Sequence, residues 1–220
     1  FASHSGHYQG VTWNGQPGRN GAALWLHQQV MFQDSESALH AARSVVEARL
    51  RHQREVLRQR DIDHCCRDCL SDLDRLLNKI ATVVGLQELN GLEGYAARIY
   101  YQALQHWVPE EFGFDGRNRR PPRDPFNALL SLGYTALYAH VDTTLRVSGL
   151  LPWLGFYHQG HGRHAALASD LMEPFRHLVE RTALTAVTRK KLRTDDFYLD
   201  AERGCRIQTA ARKRYLAMLS

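Results

Sequence analysis

The sequence predicts a mostly α-helical protein that is preceded by the end of a small β domain. From residue 34 onward, apolar residues recur at helical spacing through most of the chain. Residues 1–32 instead mix short β-prone pieces with Gly, Asn and Pro turn signals. We therefore predict two parts: the end of a β domain with its linker over residues 1–32, and a helical domain over residues 33–220.

Each element has its own signal. In the first part, residues 8–13 and 22–26 are the β-prone pieces. Asp34 is a good N-cap for the first helix, whose leucines and valines lie on one face with arginines on the other. Asp124 caps, and Pro125 opens, a long helix that runs to about Val147. Further helices are predicted over residues 66–84, 91–107 and 166–188, followed by a hairpin of residues 196–199 and 205–208 and a last basic helix capped by Thr209.

Composition bounds the function classes. Hydrophobic residues make up 44% of the chain and charged residues 23%, which is typical of a soluble globular protein. No apolar run approaches the ~20 residues that cross a membrane, and no signal peptide is visible. A net charge of +5 fits a polyanionic partner. Because the chain begins with Phe1 and not Met, we expect a piece excised from a longer chain.

The cysteines favour an intracellular protein. Cys65, Cys66 and Cys69 form the cluster CCRDC, and Cys205 stands alone. An extracellular disulfide scaffold uses more cysteines and spreads them through the chain. The cluster also suggests zinc, but a structural zinc site has four ligands, usually in two pairs, and here the second pair is missing. Reduced thiols are the favoured interpretation.

The stretch GFYHQGHGRHAALASDLMEPFR is the first candidate site. His158, His161 and His164 are spaced by three in a glycine-rich loop, and Asp170 and Glu173 follow three apart on a predicted helix. Helical spacing places both acids on one face. The simpler interpretation is a solvated loop before a helix start, where acids suit the helix dipole. The alternative is half of a metal site.

Glu93 is a third candidate ligand, and it too has two interpretations. Asn90 as N-cap with Glu93 three residues later would form a capping box. Against this, Gly94, Ala96 and Ala97 leave unusually little bulk beside the carboxylate. If Glu93 and His158 converge with one of the two later acids, the oxygen-rich set suits Mg²⁺ or Mn²⁺, and the imidazole favours Mn²⁺.

An arginine-rich loop, RNRRPPRD, is a candidate phosphate-binding element. Guanidinium groups bind phosphates in a bidentate manner, and two prolines stiffen the loop. An exposed charge-rich loop with no ligand explains the composition equally well. The candidate nucleic-acid contacts are Arg117, Arg119, Arg120 and Arg123, together with Arg163 of the glycine-rich loop.

Three motifs and the chain's end together resemble one family. LEGYAARIYY, FGFDGRNRRPPRDPFNALLSLGYTALY and GLLPWLGFYHQGHGRHAALASDLMEPFR, followed by GCRIQTAARKRYLAML, resemble the CRISPR-associated spacer-acquisition integrase, the first of the two core adaptation proteins. The resemblance covers about residues 34–219. It implies a helical C-terminal catalytic domain behind a small β domain.

The resemblance also implies a ligand set for Mg²⁺ or Mn²⁺. Glu93 falls on the family's glutamate, His158 on its histidine and Glu173 on its last acidic ligand, with Asp170 as the supporting acid. Many members have aspartate where this chain has Glu173. His161 and His164 match no invariant feature of the family.

The implied function is insertion of short DNA fragments into a CRISPR array by metal-assisted transesterification, with an associated DNA endonuclease activity. The implied partners are double-stranded DNA (the prespacer and the CRISPR repeat), the second core adaptation protein and a homodimeric copy, in the cytoplasm of a prokaryote. A fused or associated reverse transcriptase remains open. The alternatives are an inactive nucleic-acid-binding paralogue and, more weakly, a metal-dependent hydrolase of small phosphates.

Overall fold

The computed structural model describes residues 21–158 and 164–219, and within them the predicted mostly α-helical fold is confirmed. The two strands form one antiparallel hairpin, in which Phe197 pairs with Ile207. The elements are α1 (Gly21–Gln33), α2 (Ser35–Arg60), α3 (Arg67–Ile80), α4 (Leu86–Leu104), α5 (Pro125–Val147), α6 (Ala166–Met172), α7 (Arg176–Thr188), β1 (Phe197–Asp200), β2 (Gly204–Ile207) and α8 (Thr209–Leu219).

The core is built around two long helices. Helix α2 packs against α3 and α4 through a stripe of fully buried residues that includes Val46, Leu50 and Leu57. Helix α5 packs against α6, α7 and α8. Both long helices begin as predicted, because the Asp34 and Asp124 carboxylates each accept a hydrogen bond from a backbone N–H three residues later. Across the described ranges, no helix is both long and apolar enough to cross a membrane.

The strand predicted over residues 22–26 is wrong, because this segment belongs to helix α1. Trp25 and Gln28 are three residues apart, and on a helix they share one face. Trp25 Nε1 donates to the Gly149 carbonyl at 2.7 Å, and Gln28 exchanges two hydrogen bonds with the Leu151 backbone at 2.7 and 2.9 Å. The other predicted strand, over residues 8–13, lies outside the described residues.

The capping-box interpretation of Glu93 is also wrong. Helix α4 begins at Leu86, five residues earlier than predicted, with Gly85 as its N-cap. The acid that accepts a backbone N–H at this helix start is Glu88, which binds the Val84 N–H at 3.1 Å. Glu93 lies in the helix interior, so its carboxylate has no part in capping.

The helix predicted over residues 166–188 is interrupted. Pro174 has no N–H to donate and its ring clashes with the preceding turn, so a continuous α-helix is disfavoured there. The chain forms a 3₁₀ turn, Glu173–Phe175, between α6 and α7. This turn packs against α2 and thereby brings Glu173 to the middle of that helix.

Candidate metal centre

Asp170 fixes the turn that carries His158. Its carboxylate is completely buried, and it accepts hydrogen bonds from three successive backbone N–H groups, those of Phe156 at 2.7 Å, Tyr157 at 3.1 Å and His158 at 2.7 Å. It also contacts His158 Nδ1 at 2.8 Å. An Nδ1–H that donates to Asp170 leaves the Nε2 lone pair available to a cation, which is the usual arrangement of a metal-binding histidine. Asp170 is thus a positioning group whose oxygens are already engaged.

Gly155 makes this arrangement possible. A Cβ added at this position would lie 2.7 Å from Asp170 Oδ2 and 2.8 Å from the Ala166 Cβ. Real Cβ atoms do not approach other atoms so closely. The glycine therefore allows the turn to lie directly on the first residues of α6, where the three N–H groups reach one carboxylate.

Glu93 and Glu173 converge on a single nitrogen. Glu93 projects from α4 and Glu173 from the 3₁₀ turn, and both form ion pairs with Nη1 of Arg49, in the middle of α2. Glu173 also accepts a hydrogen bond from that nitrogen. Oε1 of Glu93 is buried but accepts no hydrogen bond from the described part of the chain. Its contact with Arg49 is an ion pair only, and this leaves the oxygen with unused capacity to bind a cation.

The charges around Glu173 keep it ionised. Burial alone would raise the pKa of Glu173, but the guanidinium groups of Arg49 and Arg176 outweigh burial and lower it below its usual value. Burial likewise opposes the charge of Arg49, and Glu173 and Glu93 overcome it, so the pKa of Arg49 is raised. Tyr157 stays a neutral phenol, since burial and the two glutamates raise its pKa.

The residues present fit a hard divalent cation. Two carboxylates and one oriented imidazole are the donors that Mg²⁺ and Mn²⁺ accept. The His158 ring lies near enough to Glu173 to affect the pKa of that carboxyl. The donor atoms of Glu93, His158 and Glu173 do not all lie within 4.8 Å of one another, and the Arg49 guanidinium occupies the space between the two glutamates. A cation bound by all three therefore requires the Arg49 side chain to shift.

His158 lines one side of a groove of about 820 Å³, which neither Glu93 nor Glu173 lines. The groove runs between the start of α2, the start of α4 and the segment that ends in His158. The His158 side chain is 37% exposed, whereas that of Glu173 is 2% exposed. The imidazole thus forms the open side of the site, and the carboxylates form its buried side.

The arginine-rich loop is braced and adjoins this site. Asn127 Oδ1 accepts hydrogen bonds from the Asn118 N–H at 3.0 Å and from Arg117 Nη1 at 2.8 Å. The guanidinium of Arg117 lies 5.5 Å from the centre of the Tyr134 ring, and Arg176, which binds Glu173, lies 4.6 Å from the same ring centre. Tyr134 thereby connects the loop to the carboxylate site.

The predicted nucleic-acid contacts divide into two kinds. Arg119, Arg120 and Arg123 are exposed, as a surface that binds phosphates requires. Arg117 is half-buried and its donors are engaged by the Asn118 carbonyl, Asn127 and Ser131, so its position is that of a support for the loop. Arg163 lies outside the described residues.

Sequence reasoning missed Arg49. It placed the arginines of this helix opposite the apolar face, which is right for Arg51, whose side chain is 65% exposed, and wrong for Arg49, which is 4% exposed. The signal was present, because Arg49 is four residues after Val45 and therefore lies on the apolar face. Arg176, the second cation on Glu173, was missed as well.

The three histidines of the glycine-rich loop, His158, His161 and His164, are not equivalent. His161 lies outside the described residues. His164 is turned away from the site: its Nε2 lies 3.0 Å from Ser169 Oγ and its ring stacks on Tyr138. Of the two histidines that the structure describes here, His158 is the one beside the glutamates.

Fold and site together define a helical domain that carries a carboxylate–imidazole centre beside an arginine-rich loop. The family model described as "CRISPR associated protein Cas1" matches residues 1–220. The chain therefore belongs to the Cas1 family.

Curated relatives agree with the family assignment. "CRISPR-associated endonuclease Cas1" of Mycobacterium tuberculosis strain H37Rv is 32% identical over 213 residues, which is 96% of this chain and 62% of the relative. A Cas1 of Methanospirillum hungatei is 37% identical and covers 83% of this chain and 56% of its own length. The chain thus spans about three fifths of the length of these relatives.

Solved structures share the fold. A chain of the "Partial Cas6-RT-Cas1--Cas2 complex" superposes with a TM-score of 0.92 and 40% identity, covering 99% of this chain and 67% of that one. The "Casposase bound to integration product" superposes with a TM-score of 0.86 at 23% identity, covering 99% of this chain and 64% of that one, which shows a common fold.

Proposed function

We propose that this chain is the catalytic domain of a CRISPR adaptation integrase, which inserts short DNA fragments into a CRISPR array and also cleaves DNA. Family membership supports the biological setting, and the relatives with 32% and 37% identity are named endonucleases. The observation that carries the proposal is the convergence of Glu93 and Glu173 on one point beside an imidazole held by Asp170.

Glu93, Glu173 and His158 Nε2 would hold Mg²⁺ or Mn²⁺. Such an ion neutralises charge on a phosphodiester and helps to activate or orient an attacking hydroxyl. Asp170 keeps the His158 ring in one orientation, which holds Nε2 toward the site. Arg176 stays bound to the far oxygen of Glu173 and thereby limits the rotation of that carboxylate.

The DNA contact follows from the charge distribution. Arg119, Arg120 and Arg123 present guanidinium groups on a loop that Asn118 and Asn127 hold in place. A braced loop loses little conformational freedom on binding, so its arginines can position a phosphate backbone that passes the metal site. In the insertion step, the 3′-hydroxyl of the incoming fragment forms the new bond to phosphorus as the bond at the repeat boundary breaks.

The partners follow from the family. We propose that the whole protein acts as a homodimer with the second core adaptation protein, in the prokaryotic cytoplasm where the array is located. One similar structure is described as a Cas6-RT-Cas1--Cas2 complex, and a relative in Rhodospirillum rubrum with 35% identity is a Cas4 exonuclease/Cas1 fusion. These supply the precedent for a fused or associated reverse transcriptase or nuclease in this protein.

The test uses the full-length protein with its second adaptation protein, a labelled DNA duplex, Mn²⁺ and a supercoiled plasmid that carries the array. We expect transfer of label into the plasmid by the parent. We expect none from Glu93→Gln or His158→Ala, because each removes a direct ligand. His164→Ala is the matched control, since it removes an imidazole that the structure turns away from the site.

Two outcomes contradict the proposal. Binding of the duplex without transfer or cleavage by the parent would identify an inactive nucleic-acid-binding paralogue. Parental transfer activity in both His158→Ala and His164→Ala would show that the imidazole beside the glutamates is not a ligand.

A further inference from the structure

A second cluster of metal-binding atoms lies between α2 and α3. Single donor atoms of Asp61, Cys65 and Cys66 all lie within 4.8 Å of one another. The two sulfur atoms are 3.7 Å apart. Two thiolates on one tetrahedral zinc ion, with Zn–S bonds of about 2.3 Å, are separated by about 3.8 Å. The observed spacing is therefore already that of two sulfurs on one ion.

The backbone holds these groups together. Asp61 ends α2, where its N–H donates to the Leu57 carbonyl. Its Oδ1 accepts the N–H of Cys66, five residues further along the chain, at 3.0 Å, which closes the loop between them. His64 has a φ of 57°, a left-handed conformation that is uncommon for a residue with a Cβ. The reversal at His64 precedes Cys65, whose sulfur lies beside that of Cys66.

Sequence analysis favoured simple reduced thiols because it found no second pair of ligands. The structure supplies a ligand that the spacing of cysteines cannot reveal, the carboxylate of Asp61, which is only 8% exposed. Cys69 lies three residues after Cys66, in the first turn of α3; its sulfur is not within 4.8 Å of all three of these donor atoms, so its side chain would have to move to join them.

The cluster does not resemble a reactive-thiol site. Burial, with smaller contributions from Cys65 and Asp61, raises the pKa of Cys66 to about 12. Burial and the nearby acids Asp72 and Asp68 also raise the pKa of Cys69. Nucleophilic and redox cysteines have lowered pKa values, so neither Cys66 nor Cys69 fits a reactive thiol.

We propose that Asp61, Cys65 and Cys66, with Cys69 as fourth ligand, form a structural site for a thiophilic divalent cation of the zinc class. The ion would join the end of α2 to the start of α3. Asp61 lies twelve residues beyond Arg49 on α2, about 18 Å along the helix axis. The site is therefore separate from the carboxylate–imidazole centre. It would favour a different metal, because thiolates prefer zinc and carboxylates prefer Mg²⁺ or Mn²⁺.

The test measures zinc bound by the full-length protein after zinc alone is supplied and excess is dialysed away. We expect about one zinc per chain, the stoichiometry of a single four-ligand site. The double variant Cys65→Ser/Cys66→Ser should lose it and melt at a lower temperature, and a strong chelator should lower the melting temperature of the parent. Cys205→Ser and Glu173→Gln should keep the zinc, since they alter a buried thiol of the β-hairpin and the other metal centre.

Three results would overturn the site: no zinc retained by the parent, zinc retained by the double variant, or a disulfide among these cysteines in protein purified under reducing conditions. If the double variant does not fold, cobalt(II) replaces zinc in the parent. A sulfur-to-cobalt charge-transfer band in the near ultraviolet is then expected, and its absence contradicts thiolate ligation.

Discussion

The two halves of the carboxylate–imidazole centre are held by different forces. The His158 half is fixed by neutral backbone N–H groups that donate to Asp170, 12 to 14 residues away in the chain. The glutamate half is held by a buried cation, Arg49, which lies 124 residues from Glu173 in the sequence. One half is local and depends on hydrogen-bond geometry, while the other is long-range and depends on charge.

The two halves therefore differ in what each needs to keep its carboxylates in place. Backbone donors hold one carboxylate in place whatever else binds nearby. The buried Glu173 and the partly buried Glu93, in contrast, need a cation beside them, because an uncompensated buried charge is strongly destabilising. Arg49 supplies that cation from within the chain, and a divalent ion would act on the same two carboxylates. Substitutions that affect only one half test this difference most directly.

The largest effect is expected from Arg49→Met, which keeps the length of the side chain and removes its charge. The variant leaves Glu93 without its cation and Glu173 with Arg176 alone, which should cost up to about 3–5 kcal/mol of unfolding free energy, measured by denaturant titration. Adding Mn²⁺ should then raise the melting temperature of the variant more than that of the parent, since the ion replaces the lost positive charge.

Arg51→Met is the matched control for this prediction. Arg51 pairs with Glu47 on the exposed face of the same helix, and such pairs contribute about 0.2–1 kcal/mol. Equal losses from Arg49→Met and Arg51→Met, or an identical response of variant and parent to Mn²⁺, would show that the two glutamates do not depend on Arg49.

A smaller effect is expected from Gly155→Ala, which disturbs the other half. The added methyl group would meet Asp170 Oδ2 at 2.7 Å, so the turn must move away from α6. Overpacking of this kind costs about 1–3 kcal/mol. Gly91→Ala, in open space on α4, should instead stabilise by about 0.5–1 kcal/mol. If the two variants have the same melting temperature, the close approach at Gly155 does not contribute to stability.

Much of the fold follows from sequence because its signals are local. The caps at Asp34 and Asp124 and the apolar stripes need only a few neighbouring residues, and the predicted helices of the described region all exist. The errors have physical causes. Contacts with the Gly149–Leu151 backbone overrode the β-prone composition of residues 22–26. Pro174 broke a helix that periodicity alone would have continued.

For the site too, contacts between residues near in sequence were easier to predict than long-range ones. The family resemblance put Glu93, His158 and Glu173 in one ligand set with Asp170 as the supporting acid, and of these His158 and Asp170 are near in sequence. The structure confirms that they meet. The pairing of Glu93 with Glu173 through Arg49 depends on how α2 packs against α4, which no local pattern specifies.

The smallest effect concerns acid stability. The folded-state pKa of Glu173 is lowered, so this group contributes stability above its unfolded pKa and loses it as pH falls through the folded value. Glu173→Gln should therefore flatten the decline of unfolding free energy below about pH 4.5, the ordinary range of a glutamate. Glu47→Gln, on the exposed face of α2, is the matched control, and equal flattening in both variants would contradict this role of Glu173.

The central claim is that Glu173 binds the divalent ion directly while Asp170 positions His158, and Mn²⁺ binding measured by electron paramagnetic resonance tests it most directly. Asp170→Asn should bind about 10–100-fold more weakly than the parent, as expected for a group that orients a ligand. Glu173→Gln should show no specific binding in the same range. Loss of binding in Asp170→Asn with parental affinity in Glu173→Gln would reverse the two roles, and parental affinity in both would contradict the metal centre itself.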